Sequence, residues 1–250
     1  MSRNTIFALI LTTAVVAVGP LAVAETTRLM VRAQSLDAKF IGTHTGGVDV
    51  TLTNARTGEV LSKGRITGGT GDTAKIMQSP RLRGQQLTDP ETAGYEAVMD
   101  LKAPTLVHVE ARGPLGAPAA AITVSSNIWM LPGRDVVGDG LILSFPGLII
   151  EPTVESLGAN EVKIKAKITM MCGCPITPAG TWDADSYVVR ATVLEGGRIT
   201  AQTSLIYDGR PSQFASRTLQ IPSKRGVVRI EASSKVTPNA GAIEVPIDQR

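Results

Sequence analysis

Turn-forming residues recur along the whole chain and work against long helices. The 250 residues include 25 glycines and 15 prolines, which separate short segments rich in Val, Ile and Thr. Segments of this kind, repeated between turn signals, are typical of antiparallel sandwiches and barrels. In residues 48–53, Val48, Val50 and Leu52 alternate with polar residues, as in a strand that is buried on one face. We therefore predict an all-β protein.

The N-terminal segment has the pattern of a secretory signal peptide. Arg3 precedes an apolar run over 6–18, and residues 22–24 (Ala-Val-Ala) form a small-residue cleavage site. The run could just span a bilayer, but Pro20 and the cleavage site favour removal. We predict a signal peptide at 1–24 and a periplasmic or secreted mature protein without a transmembrane span.

The chain carries no motif of a familiar enzyme class and little net charge. A formal charge of +3 over 250 residues gives no electrostatic case for nucleic acid, whose binders concentrate basic residues on one face. It contains no Gly-x-Ser-x-Gly elbow, His-Glu-x-x-His pair or phosphate-binding glycine loop. Of the two histidines, His108 alternates with valines on a predicted strand, and His44 lies in a glycine-rich loop. We therefore predict a protein that is not an enzyme.

A weak internal repeat divides the chain into two related halves. Few identities are involved, and the common order of the matches is the stronger argument for a duplication. The matching segments are 31–33 with 164–166, 50–58 with 188–196, 106–111 with 227–232, and 121–124 with 242–245. We predict two tandem antiparallel β-sandwich domains, 25–126 and 160–250.

Two further segments distinguish the halves. The first domain carries a long loop over 67–99, where either binding residues or a tolerated insertion is expected. Residues 127–159 are too apolar for a flexible linker, so we expect them to pack as one or two strands between the domains.

A hairpin is predicted in the first domain, with its turn at Asn54–Gly58 and its return strand at Glu59–Lys63. Its sequence Thr-Gly-Glu-Val-Leu, at 57–61, resembles the hairpins of carboxypeptidase-regulatory and transthyretin-like (Ig-like) β-sandwich modules of exported bacterial proteins. The resemblance implies the fold and an accessory or binding role. It transfers no functional residue.

The most specific segment is Met-Met-Cys-Gly-Cys-Pro at 170–175, which holds both cysteines of the chain. Read as a strand, residues 163–174 place three lysines on one face and the apolar and sulfur side chains on the other. The apolar face comprises Ile164, Ala166, Ile168, Met170, Cys172 and Cys174, opposite Lys163, Lys165 and Lys167.

Three interpretations of this segment remain open. Thioether and thiolate ligands select copper(I), so Met170, Met171, Cys172 and Cys174 are candidate metal ligands. A strained Cys172–Cys174 disulfide could instead act in thiol–disulfide exchange, making the chain a redox protein or sensor. In the third interpretation the cysteines are structural, paired in a disulfide or packed in the core.

These patterns together predict an exported, non-enzymatic binding or accessory protein that takes a protein partner or a small ligand. Copper(I) is the one cofactor they suggest. If the cysteines are dispensable, the binding residues are expected in 67–99 or around Trp129 and Trp182.

Overall fold

The computed structural model describes residues 23–223 and 225–247. The predicted signal peptide, apart from its last two residues, lies outside the described residues. Within them, helical structure is confined to three short 3-10 turns and one π-helical turn at Ala74–Gln78. Strands form most of the rest, which confirms the all-β class. None of the helices in this part of the chain is long and apolar enough to cross a membrane.

Two sheets build the first half. Their strand orders are β4-β1-β7 and β3-β2-β5-β6, and all neighbours are antiparallel except the parallel pair β1/β7. The strands are β1 (Glu25–Ser35), β2 (Val48–Asn54), β3 (Val60–Ile66), β4 (Tyr95–Leu101), β5 (Thr105–Gly113), β6 (Ile122–Met130) and β7 (Val136–Phe145). Both sheets bury alternate side chains, such as Val31, Val50 and Val109, in one shared core.

One continuous sheet builds the second half. Its strands are β8 (Leu148–Ser156), β9 (Glu161–Met170), β10 (Tyr187–Glu195), β11 (Arg198–Tyr207), β12 (Gln213–Ala215), β13 (Leu219–Gln220), β14 (Val227–Ser234) and β15 (Ala240–Pro246). The order is β13-β9-β12-β11-β10-β14-β15, with β8 paired to β9. Ile164 on β9, Ala191 on β10 and Ile230 on β14 share one core, so the sheet folds over onto itself.

The two halves have the same strand order. The four-stranded row β3-β2-β5-β6 corresponds to β11-β10-β14-β15, and the pair β4/β1 corresponds to β12/β9. The segments that resemble each other in sequence fall on corresponding strands, since 31–33 lies on β1 and 164–166 on β9. The halves differ because β11 also pairs with β12, which joins the second set of strands into one sheet.

The segment over 127–159 was expected to pack as one or two strands between the domains. It contains the end of β6 and the whole of β7 and β8. Because β7 pairs with β1 and β8 pairs with β9, its apolar residues extend the sheets of both halves. The chain passes from one half to the other at Pro146 and Gly147.

The loop predicted over 67–99 ends earlier, because its last residues form the start of β4. This strand buries Ala97, Met99 and Leu101 at alternate positions against β1. The remaining connection, 67–94, is fastened by Asp139, whose carboxylate accepts hydrogen bonds from the Leu87 and Thr88 backbone N–H groups. Partial burial raises the pKa of Asp139, but these hydrogen bonds outweigh it and hold the pKa below its ordinary value.

Buried polar side chains connect the two halves. Asn239 donates from Nδ2 to the Leu36 carbonyl at 2.8 Å and accepts from the Gly147 N–H at 2.9 Å. Ser35 Oγ accepts from the Met171 N–H at 3.2 Å. The surface between the halves is therefore hydrogen-bonded as well as apolar.

Replacing Asn239 by Ala should lower the free energy of unfolding by about 2 kcal/mol, because two backbone groups at the junction lose their partner. Asn239 is only 1% exposed, so little water can replace the amide. Urea denaturation measures the loss. The matched control is Asn127→Ala on the exposed face of β6, whose amide oxygen lies 2.8 Å from His108 Nδ1. Equal stability of the two variants would contradict a hydrogen-bonded junction.

Candidate functional site

Strand β9 leads into the cysteine segment. Val162, Ile164, Ala166 and Ile168 are buried, and the lysines between them are exposed or half-buried, which confirms the alternation predicted for this strand. After Met170 the chain turns sharply. The Met170 carbonyl accepts from the Gly173 N–H at 2.8 Å, and the Met170 N–H donates to the Cys174 carbonyl at 3.2 Å.

Gly173 makes this turn possible. Its φ of +76° lies in the left-handed region that favours glycine. The turn brings the Cα atoms of Cys172 and Cys174 to 5.4 Å, and the two sulfur atoms form a disulfide. On a straight strand residues two apart are more widely separated. The disulfide that the redox interpretation and the structural interpretation both include is thus present in the structure.

The two methionines lie in different cores. Met170 packs in the core of the second half, where its Sδ accepts a hydrogen bond from the Tyr187 hydroxyl at 3.3 Å. Met171 packs in the core of the first half beside Gly147. Neighbouring residues of an extended chain point in opposite directions, and here each direction leads to a separate core. The structure therefore does not bring the four predicted sulfur ligands together.

His44 lies against the cysteine turn, although it belongs to the first half. It sits on a 3-10 turn, Thr43–Thr45, between β1 and β2. A Cβ placed on Gly173 would lie 2.6 Å from His44 Cδ2 and 3.1 Å from His44 Nε2. The imidazole thus covers the glycine between the two cysteines. The repeat pairs this loop with the cysteine segment, but such correspondence does not predict contact.

A cleft opens at this point between the halves. We call it the junction cleft, and its volume is about 530 Å³. Trp182 closes one side, with its indole N–H donating to the Asp37 carbonyl at 2.8 Å. The long connection contributes Thr70 and Thr73. The full lining is Lys39, His44, Thr70, Thr73, Cys172, Gly173, Cys174, Pro175 and Trp182.

Trp129 and His108 do not line the junction cleft. Trp129 is exposed on β6, where the Arg56 guanidinium lies 5.4 Å from its ring centroid. His108 lies on β5 and its Nδ1 is 2.8 Å from Asn127 Oδ1. In the oxidised protein, the described residues hold no group of three or more His, Cys, Asp or Glu side chains arranged to bind a metal ion.

Replacing Gly173 by Ala should destabilise the protein more than the same change at Gly58. Both glycines have left-handed backbone, at φ +76° and +75°, so both substitutions incur about 1–2 kcal/mol of backbone strain. Only at Gly173 does the added methyl group meet neighbours, His44 and Thr45, whereas Gly58 is open. Thermal or urea denaturation of the pair isolates the packing effect. Equal losses would contradict the contact with His44.

Tyr187 makes the stability of the protein depend on pH in the alkaline range. Burial, with a smaller effect of Asp37, raises the pKa of Tyr187 from 10.0 to about 12. The unfolded chain then releases the phenolic proton first, so this contribution to stability is complete below pH 10 and is lost as the pH rises towards about 12. Urea denaturation of the wild type should lose stability over that range relative to Tyr187→Phe. A constant difference between the two proteins would contradict the raised pKa.

No protein-family model and no curated protein match the chain. Among solved structures, a marsupial T cell receptor is 10% identical, covering 93% of this chain and 100% of that chain, with a TM-score of 0.23. A likeness at that level carries no argument about function. The strands themselves define the class, an all-β sandwich protein with several antiparallel sheets.

Proposed function

We propose that the chain is an exported, non-enzymatic binding protein whose ligand site is the junction cleft. The observation that carries this proposal is the convergence of three separate segments on one opening: the His44 loop, the long connection and the cysteine turn. Clefts at domain boundaries are preferred ligand sites, and loops on a rigid scaffold are preferred carriers of binding residues. The signal-peptide pattern and the resemblance of the hairpin at 57–61 to accessory modules support the same role.

A photo-crosslinking amino acid tests the cleft directly. Benzoylphenylalanine at Thr73 lines the junction cleft, and at Thr123 it lies on the exposed face of β6. Thr73 makes no side-chain capping hydrogen bond, so the substitution removes none. In cells of the native host, irradiation should give a discrete adduct from position 73 and none from position 123, resolved by mass spectrometry. No adduct from position 73, with or without one from position 123, would overturn the proposal.

Thiol–disulfide exchange is the second candidate function. The observation that favours it is the imidazole of His44 beside the disulfide, since a neighbouring histidine can stabilise a thiolate. In this function the chain is a redox enzyme or sensor that reacts through Cys172 or Cys174. A Cys174→Ser variant should then trap a mixed disulfide with a partner protein in the host. Only monomer on non-reducing gels would count against it.

A purely structural disulfide is the alternative to both. Cys172 and Cys174 are 1% and 4% exposed, which suits a covalent closure of the turn after β9. In the chain-entropy description, so short a loop contributes about 1–2 kcal/mol. The Cys172→Ser, Cys174→Ser double variant should lose that stability and keep every crosslink at position 73.

A further inference from the structure

We infer that reduction of the Cys172–Cys174 disulfide creates a copper(I) site in the junction cleft, with the two thiolates and the His44 imidazole as ligands. This inference rests on the proposed function, because it names a ligand class for the same cleft. The second half supplies both sulfur atoms and the first half supplies the imidazole. All three residues line the junction cleft, and the His44 ring lies against Gly173, the residue between the two cysteines.

The backbone holds the cysteine turn independently of the disulfide. Thr169 and Pro175 form an antiparallel bridge, and the two hydrogen bonds of Met170 close the turn between them. Beyond the turn, the Ile176 N–H donates to Ser212 Oγ at 3.1 Å, and the Ser212 N–H donates to the Ile176 carbonyl at 2.8 Å. Breaking the sulfur–sulfur bond therefore leaves the two cysteines beside each other.

The His44 loop is fixed to the same junction. The Thr43 N–H donates to the Gly68 carbonyl at 3.0 Å, and the Gly68 N–H donates to Thr43 Oγ1 at 3.0 Å. The His44 side chain itself is exposed, and its ring lies against Gly173, between the two cysteines. The imidazole is therefore open to an incoming metal ion while its backbone is fixed.

The chemistry of the cleft selects a soft cation. Thiolates prefer copper(I), and three ligands fall short of the four that structural zinc requires. The cleft lining includes no carboxylate, the ligand that hard cations prefer. Lys39 lines the same cleft and offsets the negative charge of a copper(I) bis-thiolate. The carboxylate of Glu151, on the other side of His44, is paired with Lys167 at 3.0 Å.

The two methionines are excluded from this site by their packing. Met171 lies in the first core, and the sulfur of Met170 accepts the Tyr187 hydroxyl. The site therefore differs from the four-sulfur set predicted from the sequence, with His44 in place of both thioethers.

Reduction requires a dithiol donor, such as the cysteine pair of a thiol–disulfide oxidoreductase. One donor thiolate attacks a sulfur of the disulfide, breaking the bond between Cys172 and Cys174 and forming a mixed disulfide. The second donor thiol displaces it, so the donor leaves oxidised and this chain holds two thiols. Binding of Cu⁺ to both sulfurs then releases their two protons. The oxidised protein has no thiolate and does not bind.

A copper(I) titration against bicinchoninate tests the inference. The full chain is reduced with a phosphine, freed of reductant without oxygen, and compared with its oxidised form. The reduced protein should withdraw one equivalent of copper(I), and the oxidised protein none. His44→Ala should weaken binding about tenfold or more, a loss of the size seen when groups around a metal site are removed. His108→Ala and Met171→Leu are the matched controls and should bind as wild type does.

Equal binding by the reduced wild type and the Cys172→Ser, Cys174→Ser variant would overturn the inference. Unchanged affinity in His44→Ala, or loss in Met171→Leu, would overturn the ligand set. The photo-crosslink from position 73 is measured on oxidised protein. If copper binding fails and the crosslink persists, the proposed function still holds. If the crosslink is absent, the proposed function fails whether or not copper binds.

Discussion

Replacing Arg32 by Met is expected to lower the free energy of unfolding by about 3–5 kcal/mol, because the backbone carbonyls that its buried guanidinium bonds lose their donors. Arg32 is 5% exposed on β1 and reaches into the long connection. Its Nη1 donates to the carbonyls of Thr92 and Ala93, and its Nε and Nη2 donate to the Gly138 carbonyl at 3.2 and 3.0 Å. Met keeps the length of the side chain but leaves three carbonyl groups without these donors.

The electrostatic environment of Arg32 supports the same expectation. Burial lowers the pKa of the guanidinium, and the carboxylates of Asp139 and Asp89 oppose this. Those two carboxylates also accept hydrogen bonds from Leu87, Thr88 and Thr92 of the long connection.

Arg65→Met on β3 is the matched control. Arg65 pairs with Asp49 in a bridge whose side chains are both more than half exposed, and such pairs contribute little. Urea denaturation should show a large shift for Arg32→Met and almost none for Arg65→Met. Hydrogen exchange should show faster exchange over 67–94 in the first variant only. Equal shifts would contradict the part assigned to Arg32 in holding this connection.

Replacing Trp182 by Ala is expected to cost about 3–5 kcal/mol, the range for removing a large aromatic side chain from a core. Trp182 is 7% exposed and packs in the core of the second half, while its indole N–H bonds to Asp37 of the first half. The substitution therefore removes core volume and one wall of the junction cleft together.

Two further variants separate these effects. Trp182→Phe keeps most of the ring volume and loses the hydrogen bond to Asp37, so it should fall between the wild type and Trp182→Ala. Trp129→Ala, at a site that is 53% exposed, should change stability little. Thermal denaturation compares the three. A loss at Trp129 as large as that at Trp182 would contradict the position of Trp182 in the core.

The fold was largely predictable because its strands follow local patterns. Alternation over 48–52 and over 162–170 gave the correct buried face, and β5 and β14 lie where the repeated segments predicted related strands. The strands that pair with residues 127–159 were harder to predict from the sequence. Its hydrophobicity required burial, but only the parallel pairing of β7 with β1 and the antiparallel pairing of β8 with β9 assign it to both halves.

The site was less predictable because it depends on contacts between the halves. The parity of an extended strand separates Met170 from Met171 by direction, but it does not reveal that a second core receives Met171. The contact of His44 with Gly173 joins residues far apart in sequence. Asp37 and Arg32 had no local motif, because their partners are backbone carbonyls or side chains from distant segments.

The most direct test of the proposed copper(I) site is the long-range ¹H–¹⁵N spectrum of the histidine side chains in the reduced protein. The chain has only two histidines, one in the junction cleft and one on β5. One equivalent of copper(I) should shift the ring signals of His44 and leave those of His108 unchanged. Copper(I) bound by the protein without any shift at His44 would contradict the proposed site.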